Sequence, residues 1–357
     1  MIVGVCLFMN PRVVLVVVSL VLSLAIGLVV ARSGGGVGEA KRARPLIGLS
    51  MDTLKEERWQ VDRDLFLERA KALGVDVLVQ SANSDDSVQL TQVQSLITQG
   101  VDALVIIPHN GEAMAKAVAL AHAAGVPVLS YDRLITVCDL DLYITFDNVK
   151  VGELQARFLA ERIPEGGKMK VVRIYGSKTD NNAVLFKEGQ DKVLKPLIEA
   201  GKVEVVFEDW AADWKPENAK KIMNAAITKN GPGIDAVLAS NDGTAGGAVQ
   251  ALTEEGLGGK VLVTGQDGDL AACQRIVQGT QTMTVYKPIK VLASRAAEAA
   301  VKLAKGQSVI ARSGIDNGKL EVPSLLLEIT AVTRDNLRET IVADGFRAEA
   351  DVYAGLK

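Results

Sequence analysis

Polar and charged residues recur where runs of β-branched residues stop. Asp132 follows Val128-Leu129-Ser130-Tyr131 and precedes Arg133, and Asp267 closes Val263-Thr264-Gly265-Gln266. Asp180-Asn181-Asn182 and Asn241-Asp242 follow two other runs, and Lys287 lies just beyond a third. Carboxylates accept hydrogen bonds, and amides, guanidinium and ammonium groups donate them. Together they can bind a neutral ligand rich in hydroxyls. Any one Asp, Asn or Gly in such a place is an ordinary turn former. The whole set, with Arg and Lys added, reads as a ligand cleft.

Groupings for covalent or metal chemistry are missing from the sequence. The two histidines are His109 and His122. His122 falls inside a predicted helix, whereas His109 ends a strand and is a candidate ligand contact. A single His without a partner is weak support for acid–base catalysis. Nucleophile elbow, P-loop, zinc and EF-hand patterns do not occur. The turn at Asn241–Gly247 resembles a phosphate loop, but its leading acid would repel phosphate. We therefore expect no enzyme activity, no cofactor and no metal.

Composition narrows the classes further. The chain has 357 residues, 48% hydrophobic and 4% aromatic, with 40 Lys plus Arg against 43 Asp plus Glu. Disorder is excluded by the apolar content. Without a basic excess, electrostatic nucleic-acid binding is disfavoured. Three cysteines cannot staple a chain of this size, and Cys138 and Cys273 read as free buried thiols.

The elements that must position the polar residues alternate in type. Strands are predicted over 46–50, 75–80, 103–107, 126–130, 142–145, 170–175, 203–207, 236–239, 261–264 and 281–285. Helices are predicted over 57–73, 87–99, 112–124, 149–162, 182–199, 216–229, 244–255, 270–278 and 288–305. Short strands apolar on both faces, alternating with helices, specify βαβ units and covered parallel sheets. An internal echo divides them. Asp102-Ala103-Leu104-Val105 and Asp235-Ala236-Val237-Leu238 open similar segments, which lead to Asp132 and Asp267 respectively. The fold class is α/β, with two Rossmann-like open sheets facing each other through the carboxyl ends of their strands, where such sheets bind ligands.

The N-terminus differs. Residues 13–31 carry no charge, with Arg12 before them and Arg32 after. Residues 1–31 read as an export signal peptide, or else a membrane anchor. Residues 32–45 read as a flexible tether.

Several motifs together resemble the class I periplasmic sugar-binding proteins, most closely the D-xylose-binding branch that serves ABC importers. They include Glu57-Arg58-Trp59-Gln60, Gln80-Ser81-Ala82-Asn83, Tyr131-Asp132-Arg133 and Asp180-Asn181-Asn182-Ala183. Ser240-Asn241-Asp242, Gly265-Gln266-Asp267 and the unbroken GTQTMTVYKPI at 279–289 add to them. The likeness spans roughly residues 46–346. It implies sugar contacts from Arg58, Trp59, Asp132, Arg133, Asn182, Trp214, Asn241, Asp267 and Lys287. It further implies one lobe formed by 46–145 plus 288–322 and the other by 146–287 plus 323–357; with no calcium loop and no paired cysteines, we expect a monomer. The chain would cross between them near 145–147, 287–288 and 320–323, and deliver D-xylose to an ABC transporter permease. His109 stands where the family usually has Tyr, and the stretch 167–175 is longer than usual. A sugar-sensing regulator of the lactose-repressor type shares this core, but it would need a basic helix-turn-helix where this chain has its apolar segment. Other pentose- or hexose-binding proteins are the remaining alternative.

Overall fold

Aliphatic runs such as Leu104-Val105-Ile106 have no polar face, so they are stable only where helices cover a sheet on both sides. The computed structural model describes residues 44–355 and, before them, Ser19, Val21 and Ser23. The regions read as export segment and tether therefore lie almost wholly outside the described residues. Among the described residues no helix is long and apolar enough to cross a membrane.

The first sheet contains β1 (Leu46–Met51), β2 (Asp76–Ser81), β3 (Ala103–Ile106), β4 (Val128–Tyr131) and β5 (Leu142–Phe146). Two late strands, β12 (Ser313–Asp316) and β13 (Glu321–Leu327), extend it in the order β12-β13-β5-β4-β3-β1-β2. On one face pack α1 (Glu57–Ala72) and α9 (Ile289–Ala304), through Phe66, Leu292, Ala296 and Ala300 against Leu49, Val105 and Ile144. On the other face pack α2 (Asp86–Thr98) and α3 (Ala115–Ala123), through Val93, Leu96, Val118 and Ala121.

The second half repeats the plan. Strands β6 (Met169–Tyr175), β7 (Val203–Trp210), β8 (Ala236–Ala239) and β9 (Leu262–Val263) pair in parallel in the order β7-β6-β8-β9. A three-stranded sheet of β10 (Gln266–Asp267), β11 (Thr284–Tyr286) and β14 (Thr330–Val332) continues from it. Thr282 N donates to the Val263 carbonyl at 2.9 Å and Val285 N to that of Gly265 at 3.1 Å, linking the two. The surrounding helices are α4 (Asn148–Ala160), α5 (Asn181–Glu199), α6 (Pro216–Asn230), α7 (Asp242–Glu254) and α8 (Leu270–Gln278).

The sequence echo has a shared physical cause. Asp102 accepts from Leu46 N at 2.7 Å, and Asp235 accepts from Lys170 N at 2.7 Å. Each carboxylate precedes the third strand of its half and ties it to the start of the first.

Two expectations are corrected. The sheets are mixed, since β12 pairs antiparallel with β13 and β14 pairs antiparallel with β11. The third crossing does not fall at 320–323. Strand β13 stays in the first sheet through Leu327, which pairs with Phe146, so the passage to β14 occupies residues 328–329. Pro323 removes a ladder donor and reads as a loop residue in sequence. The structure accommodates it opposite Gly314 on the short edge strand β12.

The helices α4 and α5 cross at two glycines, Gly152 and Gly189. A methyl group on Gly189 would lie 1.9 Å from the Val149 carbonyl oxygen, and one on Gly152 would lie 2.0 Å from that of Phe186. Gly189→Ala therefore forces the helices apart. We expect a loss of about 1–3 kcal/mol in denaturant unfolding. An unchanged midpoint would show that the crossing tolerates displacement.

Candidate functional site

Strand ends from both halves converge on one cavity of about 50 Å³. All nine residues expected to contact ligand line it: Arg58, Trp59, Asp132, Arg133, Asn182, Trp214, Asn241, Asp267 and Lys287.

Arg58 is brought in by the first turn of α1 and is buried. Its guanidinium approaches Asp132 Oδ1 at 2.8 Å, Asp267 Oδ1 at 3.0 Å and Asp62 Oδ2 at 3.4 Å. Asp132 ends the β4 segment, whereas Asp267 belongs to β10, so one cation spans the two halves. Burial opposes its charge, but Asp132, Asp267 and Asp62 outweigh that and raise its pKa well above the usual value.

Arg133 is gripped the same way. Its Nη1 donates to Asp52 Oδ2 at 2.7 Å, just past β1, and its Nε lies 2.9 Å from Asp180 Oδ2, at the start of α5. The rings of the site pack on these charges. Both guanidinium groups lie over Trp59, at 4.5 Å and 5.0 Å from the ring centroid. Trp214 Nε1 donates to Asp180 Oδ2 at 3.1 Å. Lys287 is 1% exposed, with Nζ 3.8 Å from Asp132 Oδ1 and 5.3 and 5.2 Å from the Phe146 and Phe186 ring centres. Burial lowers its pKa.

Three of these residues have left-handed backbones that L-residues rarely adopt: Asp132 at φ 60°, Trp214 at 58° and Asp267 at 107°. Such conformations persist where surrounding contacts over-determine them, and they cluster at functional sites. Two amides have duties within the protein. Asn182 donates from Nδ2 to the Asp132 carbonyl at 3.0 Å and accepts from Asn148 Nδ2 at 2.9 Å, so it braces Asp132. Asn241 Oδ1 caps α7 in a capping box with Thr244, which leaves its amide N–H groups for a ligand.

The cavity also takes in Glu56, Asp180, Phe186, Gln266 and Asp269, which the site expectation omitted. Asp180 was visible as a strand-end residue, and Gln266 stands beside Asp267. Glu56 and Phe186 gave no signal beyond their neighbours, and Asp269, two residues after Asp267, reads in sequence as a turn residue. His109 does not line the cavity. Its Nδ1 lies 3.0 Å from Asp52 Oδ1, so it acts one contact behind Arg133.

The wall carries five carboxylates, from Glu56, Asp132, Asp180, Asp267 and Asp269, against the cations of Arg58, Arg133 and Lys287. An anionic ligand is disfavoured there. Several buried polar atoms have no hydrogen-bond partner in the protein: Glu56 Oε2, Arg58 Nη2, Asp132 Oδ1, Gln266 Oε1 and Asp269 Oδ1. Arg58 Nη2 and Asp132 Oδ1 face each other at 2.8 Å as an ion pair. Buried polar atoms ordinarily find partners: Glu56 Oε2, Gln266 Oε1 and Asp269 Oδ1 call for donors, and the amide N–H groups of Asn241 call for an acceptor. Hydroxyl groups supply both. Among the described residues, no cluster of His, Cys, Asp or Glu could hold a metal ion.

Residues 47–308 match the family model described as a periplasmic binding protein domain. The chain is 52% identical over 307 residues to the D-xylose-binding periplasmic protein of Haemophilus influenzae, covering 86% of this chain and 92% of that one. It is 51% identical over 306 residues to the protein of the same description from Escherichia coli, with 86% and 92% covered. A carbohydrate transporter solute-binding protein from Chloroflexus aurantiacus, solved with D-glucose, superposes with a TM-score of 0.81 at 33% identity, covering 85% of this chain and 97% of that one.

Acid should loosen the support of Arg133. Burial pushes the Asp52 carboxyl up, but Arg133 and His109 prevail and hold it at about 2 against an ordinary 3.8. Its stabilising contribution is full above pH 3.8 and is lost as pH falls through about 2. At neutral pH it amounts to about 2 kcal/mol. Asp52→Asn should lower stability at pH 7 by that order and leave it nearly unchanged near pH 2. Parallel stability–pH curves for the two proteins would contradict this.

Proposed function

The chain belongs to the periplasmic binding protein family, and from that membership we propose that it captures D-xylose outside the cytoplasm and delivers it to an ABC transporter permease. Members of this family bind their substrates and do not transform them. The observation that carries the reading is the meeting of nine sugar-contact candidates, from both halves of the chain, in one buried cavity.

A pentose matches the wall. Asp132 and Asp267 accept from sugar hydroxyls, while Arg58, Arg133, Lys287 and Asn241 donate to hydroxyl and ring oxygens. Trp59 and Trp214 offer flat surfaces to the C–H faces of the ring. The excess of carboxylates favours a neutral sugar over a sugar phosphate. The curated D-xylose-binding relatives, matched over 86% of this chain, support the pentose assignment and an extracytoplasmic site of action.

The candidate contacts are buried and come from both halves, so a pentose reaches them only when the walls part. The two halves therefore act as lobes that open and close about the three crossings, at 145–147, 287–288 and 328–329. Bound sugar favours the closed form by its differential affinity for that form. Closure also brings surfaces of both lobes together for the permease to read. The receptor works as a monomer, without metal or cofactor.

D-xylose should lower the radius of gyration measured by small-angle scattering. If saturating xylose leaves the ligand-free value unchanged, hinge closure is wrong. Asp132→Ala and Asp267→Ala should each cost about 2–4 kcal/mol of binding, or about 30- to 1000-fold in affinity, because buried cations lose their partner. Calorimetric titrations of either variant that matched the wild type would refute the site assignment.

A further inference from the structure

The last part of the chain returns to the cavity. Within residues 333–355, Leu337, Ile341, Phe346, Val352 and Tyr353 pack on α8 and Tyr286. This apolar seat holds Arg347, itself buried, beside Asp269, which lines the cavity. Its Nε donates to the Gly268 carbonyl at 3.1 Å, its Nη1 donates to Glu57 Oε1, and its Nη2 stands 4.0 Å from Asp269 Oδ1. Gly268 directly follows Asp267. Glu57 directly precedes Arg58 and Trp59, in the first turn of α1.

One guanidinium thus joins the turn that carries Asp267 to the helix that carries Arg58. From inside, the same turn is held by Asp242, whose Oδ2 accepts from Gly268 N at 2.9 Å and Asp269 N at 3.0 Å. The left-handed backbone of Asp267 needs such restraint on both sides. The geometry points to Arg347 as a positioning residue for sugar binding, a clasp between the Gly268 turn and Glu57 that keeps Asp267 and Arg58 in register across the cleft. The inference rests on the pentose-binding reading above.

The clasp is tested by titrating D-xylose into the full chain and into Arg347→Gln, Glu57→Gln and the double variant, with release followed by stopped flow. Glu57 is about half exposed, so its substitution leaves the fold intact. Each single variant should weaken affinity by about 3- to 30-fold, chiefly through faster release. The double variant should be no weaker than Arg347→Gln, because that change alone already removes the contact to Glu57. Arg347→Lys keeps the charge but loses the forked reach, and should recover only part of the affinity. Unfolding of sugar-free Glu57→Gln should match the wild type, which separates positioning from stability. Wild-type affinity in Glu57→Gln, or additive losses in the double variant, would overturn the clasp alone. A wild-type chain that bound no pentose would overturn the functional reading, and this inference with it.

Discussion

The guanidinium of Arg58, held between Asp132 and Asp267, is the interaction on which the rest of the site depends. Burying a charge is costly unless partners replace the lost water. No single partner suffices here. Arg58 needs both aspartates, Asp132 also leans on Lys287 and Asn182, and Arg133 needs Asp52 and Asp180. The charges are tolerable only as a group, and the group exists only where two sets of strand ends meet. The fold can be read as the device that brings them there: two open sheets, each ending a strand in a carboxylate.

This accounts for what the sequence could and could not reveal. Strand ends announce themselves, because an apolar run must stop and polar residues must follow. Asp132, Asn241 and Asp267 were legible on that ground, and the paired roles of Asp102 and Asp235 left a visible repeat. The strands after residue 312 were not legible. They are partly exposed, β13 carries Pro323, and their pairing with β5 and β11 is a long-range choice that no local pattern encodes. Arg347 was hidden for the same reason, since its value lies in a partner 290 residues away. The motif likeness placed Arg58 and Trp214 at the site, which periodicity alone would have left on a helix face and in the core.

The site also shows how local duties and binding duties share residues. Asn241 caps a helix and lines the cavity. Asp180 caps α5 through Asn182 N while holding both Arg133 and Trp214. Capping and a place on the cavity wall are compatible in such residues: Asn241 and Asp180 do both. Elements that begin at a strand end must cap their helices there, so capping side chains are already gathered where a ligand would sit.

The two described cysteines carry a different consequence. Cys138 and Cys273 are buried and unpaired, and burial pushes their thiols up to about 11 and about 12. At neutral pH, on the order of one sulfur in ten thousand or fewer would be thiolate, the form that attacks disulfides and peroxides. Each sulfur therefore serves as a small apolar filler with almost no redox reactivity. The chain thus carries both thiols without offering a nucleophile to its neighbours.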